Sequence, residues 1–569
     1  MRYLWLFLLA ACAPGAPAPA ATTPGLAGGG PSDLAAAGAA GLKAISAASF
    51  EANTKRLSSD ELEGRATGSE GGARGEQYIA DQLAALGVAP AGEGGTYFQR
   101  VPLREATRDD AGSSLVIHTG GGDVRLENDR DALLFPAPRA ADVHIDARLV
   151  FAGFGISRPD LGYDDLAGVD LNGAIAVVFR GAPATIHGRP VDSALQAVLS
   201  DLPARSRTLR ARGAVAMFAV YNPKAAVRMS YAQYVQKIEG PTIAWLEHDA
   251  PASGSVIPLV TLDQAAFDRI LGTSSQSLWT ELDRGEPARA ALTATAQLHI
   301  RSTLRDLAAR NVVGVLRGSD PRLADELVLY TAHSDHLGIG PPVNGDRIYN
   351  GAVDNATGCA ALLEVARAFR AMSPPPRRST LFAAVTGEEK GLLGSDYFAH
   401  HPTVPLDRVV ADINVDGINV QVEPFDLVVH GADHSSLGRQ AAAAARAAGL
   451  QLSPDPTPEL TFFIRSDQYS FVQVGIPSVF AQTGFLDATG NPAGYRATAD
   501  RWSAQHYHLP SDEWQPEYNA AWGARVIRFD FLIGLAVAGD PERPRWNPGD
   551  LFGVPGGIGA VRARRAGGP

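Results

Sequence analysis

Residues 379–389 read S-T-L-F-A-A-V-T-G-E-E. The uncharged, largely apolar run from Ser379 to Val385 has the length of a strand covered on both faces. A Thr-Gly pair then turns the chain, and two adjacent carboxylates, Glu388 and Glu389, follow. The same texture recurs on either side. Strands are expected at 311–316, 326–332, 409–415 and 477–481, alternating with helices at 356–371, 392–398 and 436–448. Such alternation predicts an α/β fold, a mixed and mostly parallel sheet flanked by helices. In helix 356–371, Cys359, Leu362, Leu363, Ala366 and Phe369 share one face, while Glu364, Arg367 and Arg370 lie elsewhere. Pro374-Pro375-Pro376 stops it. Cys359 reads as a small buried hydrophobe.

Open α/β sheets gather their functional groups at the carboxyl edge of the strands. His333, in T-A-H-S-D-H-L-G, follows strand 326–332; Glu388 and Glu389 follow Val385; Asp416, in I-N-V-D-G, closes strand 409–415. Asp354, in N-G-A-V-D-N-A-T-G, precedes helix 356–371, and His508 sits on a late loop, H-Y-H-L-P-S-D. Imidazoles and carboxylates without a thiolate suit zinc and, less selectively, cobalt or manganese. Two zinc ions carry four positive charges, which Asp354, Glu389, Asp416 and one hydroxide would balance. With so few ligands, one carboxylate serves both ions, about 3.5–4 Å apart, and Asp354 is assigned that bridge. Neighbouring side chains in extended backbone point in opposite directions, so Glu389 can bind metal while Glu388 acts as general base and then acid. Asp335 is expected to orient His333 by accepting its free ring proton. His336 either helps similarly or is satisfied locally. His506 and His508 lie two apart, and alternation does not choose between them. Ser334 lacks a G-x-S-x-G elbow, which argues against a serine hydrolase.

The chain has 569 residues, enough for about three units of ordinary domain size. Its net charge of -11, with only short basic clusters at 205–212 and 562–565, argues against a nucleic-acid partner. Residues 1–11 read as a signal peptide whose apolar core is too short to span a bilayer. Leu9-Ala10-Ala11-Cys12 resembles a bacterial lipobox, which implies export and a lipid anchor on Cys12, facing the periplasm or the exterior; ordinary cleavage would instead leave a secreted protein. Residues 12–44 are poor in large apolar side chains and read as a disordered tether. A first catalytic segment is placed at 45–140, with an amphipathic helix at 70–86. A β-rich domain follows at 141–295, with strands at 147–151, 174–179, 214–220 and 256–262. The second catalytic segment runs 296–541, and 542–569 is a flexible tail. Apart from Cys12 the one cysteine is Cys359, so no internal disulfide is expected in the mature chain.

The quoted motifs closely resemble metallopeptidase family twenty-eight, the co-catalytic zinc aminopeptidases that also include glutamate carboxypeptidase II. The resemblance implies one metal on His333, Asp354 and Asp416 and another on Asp354, Glu389 and His508, with Glu388 as base and Asp335 in support. It selects His508 over His506, and it implies a cis peptide at Asp354–Asn355. The stretch F-A-G-F-G-I-S-R-P-D-L-G-Y-D-D-L-A-G-V-D-L-N-G-A-I-A-V-V resembles the protease-associated domain inserted in many members. Two departures stand out. Gln468 follows Ser466-Asp467 where the family usually has His, and Phe462-Phe463-Ile464 occupy the vicinity of an oxyanion-stabilising Tyr. Arg465 or Tyr469 is the substitute donor expected here. The implied activity is removal of N-terminal residues from peptide substrates by a zinc-acidified water. Its rivals are a carboxypeptidase or dipeptidase with the same metals, a glutaminyl-cyclase-like transferase with one metal, and a receptor-like ectodomain that has lost them.

Overall fold

The computed structural model describes residues 31–238, 240–246 and 257–553. The signal peptide, Cys12 and the basic run at 562–565 lie outside them. Two compact units emerge: one of Pro102–Leu307 with Thr457–Ile464, the other of the chain up to Val101, Ala308–Pro456 and the chain from Arg465.

The second unit is the α/β body. Its centre is four parallel strands in spatial order Ser379–Val385, Leu327–His333, Val409–Asn414 and Ser478–Thr483. Thr295–Leu316 pairs antiparallel outside the first of these, and Asp426–His430 antiparallel outside the last. The first three are buried at every position, which is why they read as largely apolar runs rather than alternating ones. Pairing His333 with Val385 brings the ends of two strands level, so the loops that follow them open at one edge.

Helix Thr357–Arg370 has twelve buried residues out of fourteen. It packs against Ala47–Leu57, Ala520–Gly539 and the sheet. Its charged residues are therefore only partly on a solvent face, with Arg370 exposed and Arg367 half-buried. Glu364 is fully buried and accepts from the Ser46 amide at 2.8 Å and from Arg367 Nε at 3.2 Å. The cover comes from the N-terminal helices, and this corrects the expected tether over residues 31–44; its earlier part, 12–30, lies outside the described residues. Pro31–Ala37 and Ala39–Ala44 are helical, Gly41 is buried, and the first packs on Leu437–Ala448 and Ala520–Gly539. Few large side chains are needed there, because the bulk is supplied by the partner: a Cβ on Gly41 would lie 2.3 Å from the Phe531 ring.

Ala520–Gly539, which the sequence analysis did not single out, is buried at fourteen of its twenty positions. Its side chains Phe529, Phe531, Leu532 and Ile533 each contribute roughly 1.5–3 kcal/mol on burial. Among the described residues no helix is long and apolar enough to cross a membrane. The expected flexible tail is ordered as far as residue 553: Trp546 Nε1 donates to the Gly475 carbonyl at 3.1 Å, and Asp550 pairs with His434 at 2.8 Å.

The first unit departs from the expected β-rich domain at 141–295 in extent and in composition. It begins at Pro102, because Ser114–Thr119, Gly122–Leu126 and Ala132–Leu134 all join its sheet. That sheet contains three neighbouring parallel strands, Ile175–Phe179, Ala216–Val220 and Leu259–Leu262, with helices between them in sequence, among them Leu202–Ala211 and Tyr231–Ile238. The segment 152–166 wraps around buried Asp165, whose carboxylate accepts from the Phe154 and Ile156 amides and from the Tyr163 hydroxyl, at 2.9, 3.2 and 2.9 Å.

Candidate metal centre

The loops that leave the carboxyl ends of the parallel strands bring the five expected ligands together. His333 Nε2 stands 3.3 Å from Asp354 Oδ1 and 3.2 Å from Asp416 Oδ1. His508 Nε2 stands 2.9 Å from Asp354 Oδ2 and 3.4 Å from Glu389 Oε2. The two oxygens of Asp354 thus face two different imidazole-carboxylate sets, the disposition of a shared ligand. His336 Nδ1 approaches the other oxygen of Glu389, Oε1, at 2.7 Å and Asp354 Oδ2 at 4.0 Å. An ion held by His508, Asp354 Oδ2 and Glu389 Oε2 would leave His336 beside the remaining Glu389 oxygen, where it orients that carboxylate. His506 is outside this group, its Nδ1 on the Ser511 carbonyl at 2.8 Å.

Local backbone explains the aim of each side chain. Gly387 takes φ 72°, a left-handed turn that an L side chain resists, and it ends the strand abruptly. Glu388–Lys390 is then a single tight helical turn, not the extended backbone expected from sequence, and helical rotation separates the two glutamates. His508 itself is left-handed at φ 58°. The peptide Asp354–Asn355 is cis, as the family resemblance implied. The Asn355 side chain then ties two ligand loops together: Nδ2 donates to the Val415 carbonyl at 3.0 Å, while Oδ1 accepts from the Gly358 and Gly417 amides at 2.9 and 3.0 Å. Gly358 is required by that approach, since a Cβ there would fall 2.0 Å from Asn355 Oδ1.

The expected role of Asp335 needs correction. Its backbone carbonyl, not its carboxylate, lies 3.1 Å from His333 Nδ1. The carboxylate is turned away by two other partners, accepting from the Thr67 hydroxyl at 2.7 Å and from the Glu388 amide at 3.1 Å. Asp335 therefore positions the turn that carries Glu388. Two further supports were not legible in sequence. Asp512 accepts from the Val353 and Asp354 amides at 2.9 and 3.1 Å, which binds the loop of His508 to that of Asp354. Arg65, fully buried, donates to the carbonyls of Leu57, Ser334, Asn350 and Gly351. The S-D of L-P-S-D was the only signal for the first; an isolated Arg in a polar stretch offered none for the second.

Of the two oxyanion candidates, Arg465 is exposed and Tyr469 is buried in Gln468–Gln473. A third donor, unnamed in the sequence analysis, is the hydroxyl of Tyr507, whose ring stacks on His508 at 3.9 Å. Burial and the charges of Asp354, Glu389 and Glu388 push its pKa well above the ordinary value, so it stays protonated and able to donate.

The electrostatics call for cations. Burial, with Glu389, Asp416 and Asp467 nearby, drives Glu388 well above the usual carboxylate range. Burial opposes a charged His508, yet Glu389 and Asp354 push it up to about 10, and His333 is likewise raised against burial by Asp416, Glu388 and Asp354. Both imidazoles thus take up protons to offset the carboxylates, a demand that divalent ions would meet by displacing those protons. His336 Nδ1 and Glu389 Oε1, buried and close, make no hydrogen bond with acceptable geometry, which also fits groups arranged around an ion. Two sets of mutually close ligand atoms result, His333-Asp354-Asp416 and His336-Asp354-Glu389, and Asp354 is in both.

Residues 311–528 match the model of Peptidase family M28. This segment is similar to peptidase family M28. All five candidate ligands, the paired glutamates and Asp512 fall inside the matched segment. The chain is 36% identical over 125 residues to the mouse (Mus musculus) protein named Aminopeptidase NAALADL1, covering 21% of this chain and 15% of that one. It is 27% identical over 266 residues to a probable leucine aminopeptidase 2 of Aspergillus oryzae, covering 44% and 48%. The chain thus spans less than half the length of either relative. Among solved structures, an aminopeptidase from Aneurinibacillus sp. strain AM-1 aligns over 88% of this chain and 95% of its own, at 20% identity and a TM-score of 0.48.

Proposed function

We propose that the chain is a zinc exopeptidase that holds two zinc ions over Asp354 and removes N-terminal residues from peptides. The observation that carries this reading is the division of Asp354 between His333 with Asp416 on one oxygen and His508 with Glu389 on the other. The family M28 match supports it, as do the aminopeptidase names of the two relatives.

Zinc, when bound, supplies Lewis acidity toward a peptide carbonyl and acidifies water. Glu388 takes one proton from the attacking water as its oxygen joins the carbonyl carbon, and delivers that proton to the nitrogen as the C–N bond breaks. Asp335 fixes the Glu388 amide, and so the side chain, in line for both transfers. Tyr507, kept protonated, is the hydrogen-bond donor we assign to the developing oxyanion.

Glu388→Gln tests this directly. It should retain zinc and lose hydrolysis of aminoacyl-anilides by roughly 10²–10⁴-fold or more. Undiminished turnover rejects the assignment, and comparison of free with N-blocked peptides separates an aminopeptidase from a carboxypeptidase.

We read Pro102–Leu307 as the protease-associated domain, on the resemblance of its F-A-G-F-G segment. Export with a lipid on Cys12 rests on Leu9-Ala10-Ala11-Cys12, and Cys12→Ala should abolish incorporation of labelled palmitate.

A further inference from the structure

A second constellation of metal-ligating side chains lies in the unit Pro102–Leu307, and the peptidase chemistry does not use it. Strand Asp142–Phe151 pairs antiparallel with Thr295–Leu316 in a register that sets His144 directly opposite His299. Asp142 and His144 alternate with half-buried Val143 and Ile145, and His299 stands between buried Leu298 and Ile300, so these three polar groups share the outer face. The two imidazoles stack with centroids 3.8 Å apart and planes at 23°. Both bring Nε2 to the same oxygen: Asp142 Oδ1 is 2.7 Å from His299 and 3.0 Å from His144. The three ligand atoms all lie within 4.8 Å of one another. Arg301, opposite Asp142 in the register, pairs instead with Asp109 at 3.8 Å.

We propose that Asp142, His144 and His299 form a transition-metal site, independent of the centre at Asp354. Two neutral imidazole nitrogens and one carboxylate oxygen are the donors preferred by zinc and copper(II). They stand on paired strands, so little ordering is needed to gather them. Without metal each Nε2 faces the Asp142 carboxylate as a donor; on binding, the ion would displace that Nε2 proton, leaving each neutral ring protonated on Nδ1. The solvent side of the ion is left to water. One carboxylate leaves the complex positively charged and exposed, which makes this an exchangeable site that fills with the surrounding metal supply. When filled, it clips the two strands together through their side chains.

The test uses the full chain equilibrated at buffered free zinc from nanomolar to high micromolar, with bound zinc counted by mass spectrometry after rapid removal of free metal. A His144→Ala/His299→Ala double variant should bind one zinc fewer per chain than the wild type, and Asp142→Asn should weaken that same uptake by roughly tenfold or more. Copper(II) resonance spectra should show coupling to imidazole nitrogens that the double variant lacks in part. Circular dichroism and melting check that the variants fold, as expected for exposed positions. Hydrolysis by the zinc-loaded enzyme should be unchanged in both. Equal zinc uptake by wild type and double variant at every free-zinc level overturns the proposal. Because it does not rest on the His333 cluster, loss of peptidase activity in Glu388→Gln, or its absence altogether, leaves this result separately readable.

Discussion

Replacing Arg65 by lysine probes how the N-terminal segment holds the metal centre. Arg65 is 1% exposed, and its guanidinium donates to four carbonyls on three separate stretches: Leu57, Ser334 beside the first histidine ligand, and Asn350 and Gly351 ahead of Asp354. Burial pulls its pKa down, while Asp512, Asp335 and Asp354 are among the charges that hold it up, so it also offsets the acidic cluster. Lysine keeps the charge but brings its donors to a single point, and the planar fork that reaches separated carbonyls is lost. If two of the four bonds fail, each a charge-assisted bond of about 1.5–3 kcal/mol, the variant loses roughly 3–6 kcal/mol. The left-handed backbone at φ 49° is unchanged by the swap, so strain does not contribute to the difference. For a unit of this size, at about 2 °C per kcal/mol, melting should fall by roughly 6–12 °C. Both ligand loops lose a common anchor, and zinc affinity should drop about 10–100-fold. Calorimetry and competition against a zinc chelator measure the two effects. An Arg65→Lys variant that melts within about a degree of wild type and holds zinc equally refutes the argument.

Asp512→Ala frees the Val353 and Asp354 amides and should lower zinc affinity about 10–100-fold with little change in helix content, measured by equilibrium dialysis. His508→Ala should cost the zinc held with Glu389, whereas His336→Ala should keep it at reduced affinity; equal loss in both, by metal counting, would make His336 a direct ligand. Asp530 is buried with Oδ2 lacking a hydrogen-bond partner, and burial pushes its pKa up to about 8. The folded state therefore keeps a proton that the unfolded state gives up near pH 4, so stability falls as pH rises from about 4 to 8 and levels off above. Asp530→Asn should flatten that slope and raise the melting temperature at pH 8; an unchanged pH profile of melting would contradict it.

The parallel strands were legible because a strand covered on both faces is largely apolar without alternation, as Leu327–His333 and Ser379–Val385 are. The convergence of the candidate ligands was legible because strand ends deliver side chains to one edge, so the order His333, Glu389, Asp416 already implied it. The N-terminal helices were not. Ala-Gly composition normally signals a linker, and only the bulk of Phe531 and its helix turns residues 31–44 into packed structure.

What the sequence alone determined, then, was the α/β class, the donor types and the residues that carry them, because periodicity and side-chain chemistry are local properties of the chain. Tertiary structure decided the rest. It divided the two oxygens of Asp354 between His333 and His508, turned the Asp335 carboxylate toward Thr67 and the Glu388 amide, and buried Arg65 among backbone carbonyls from stretches up to 286 positions away in sequence. These depend on which loops meet in space. An Arg or Asp in isolation looks solvated until the carbonyls and amides that desolvate it are brought around it by the fold.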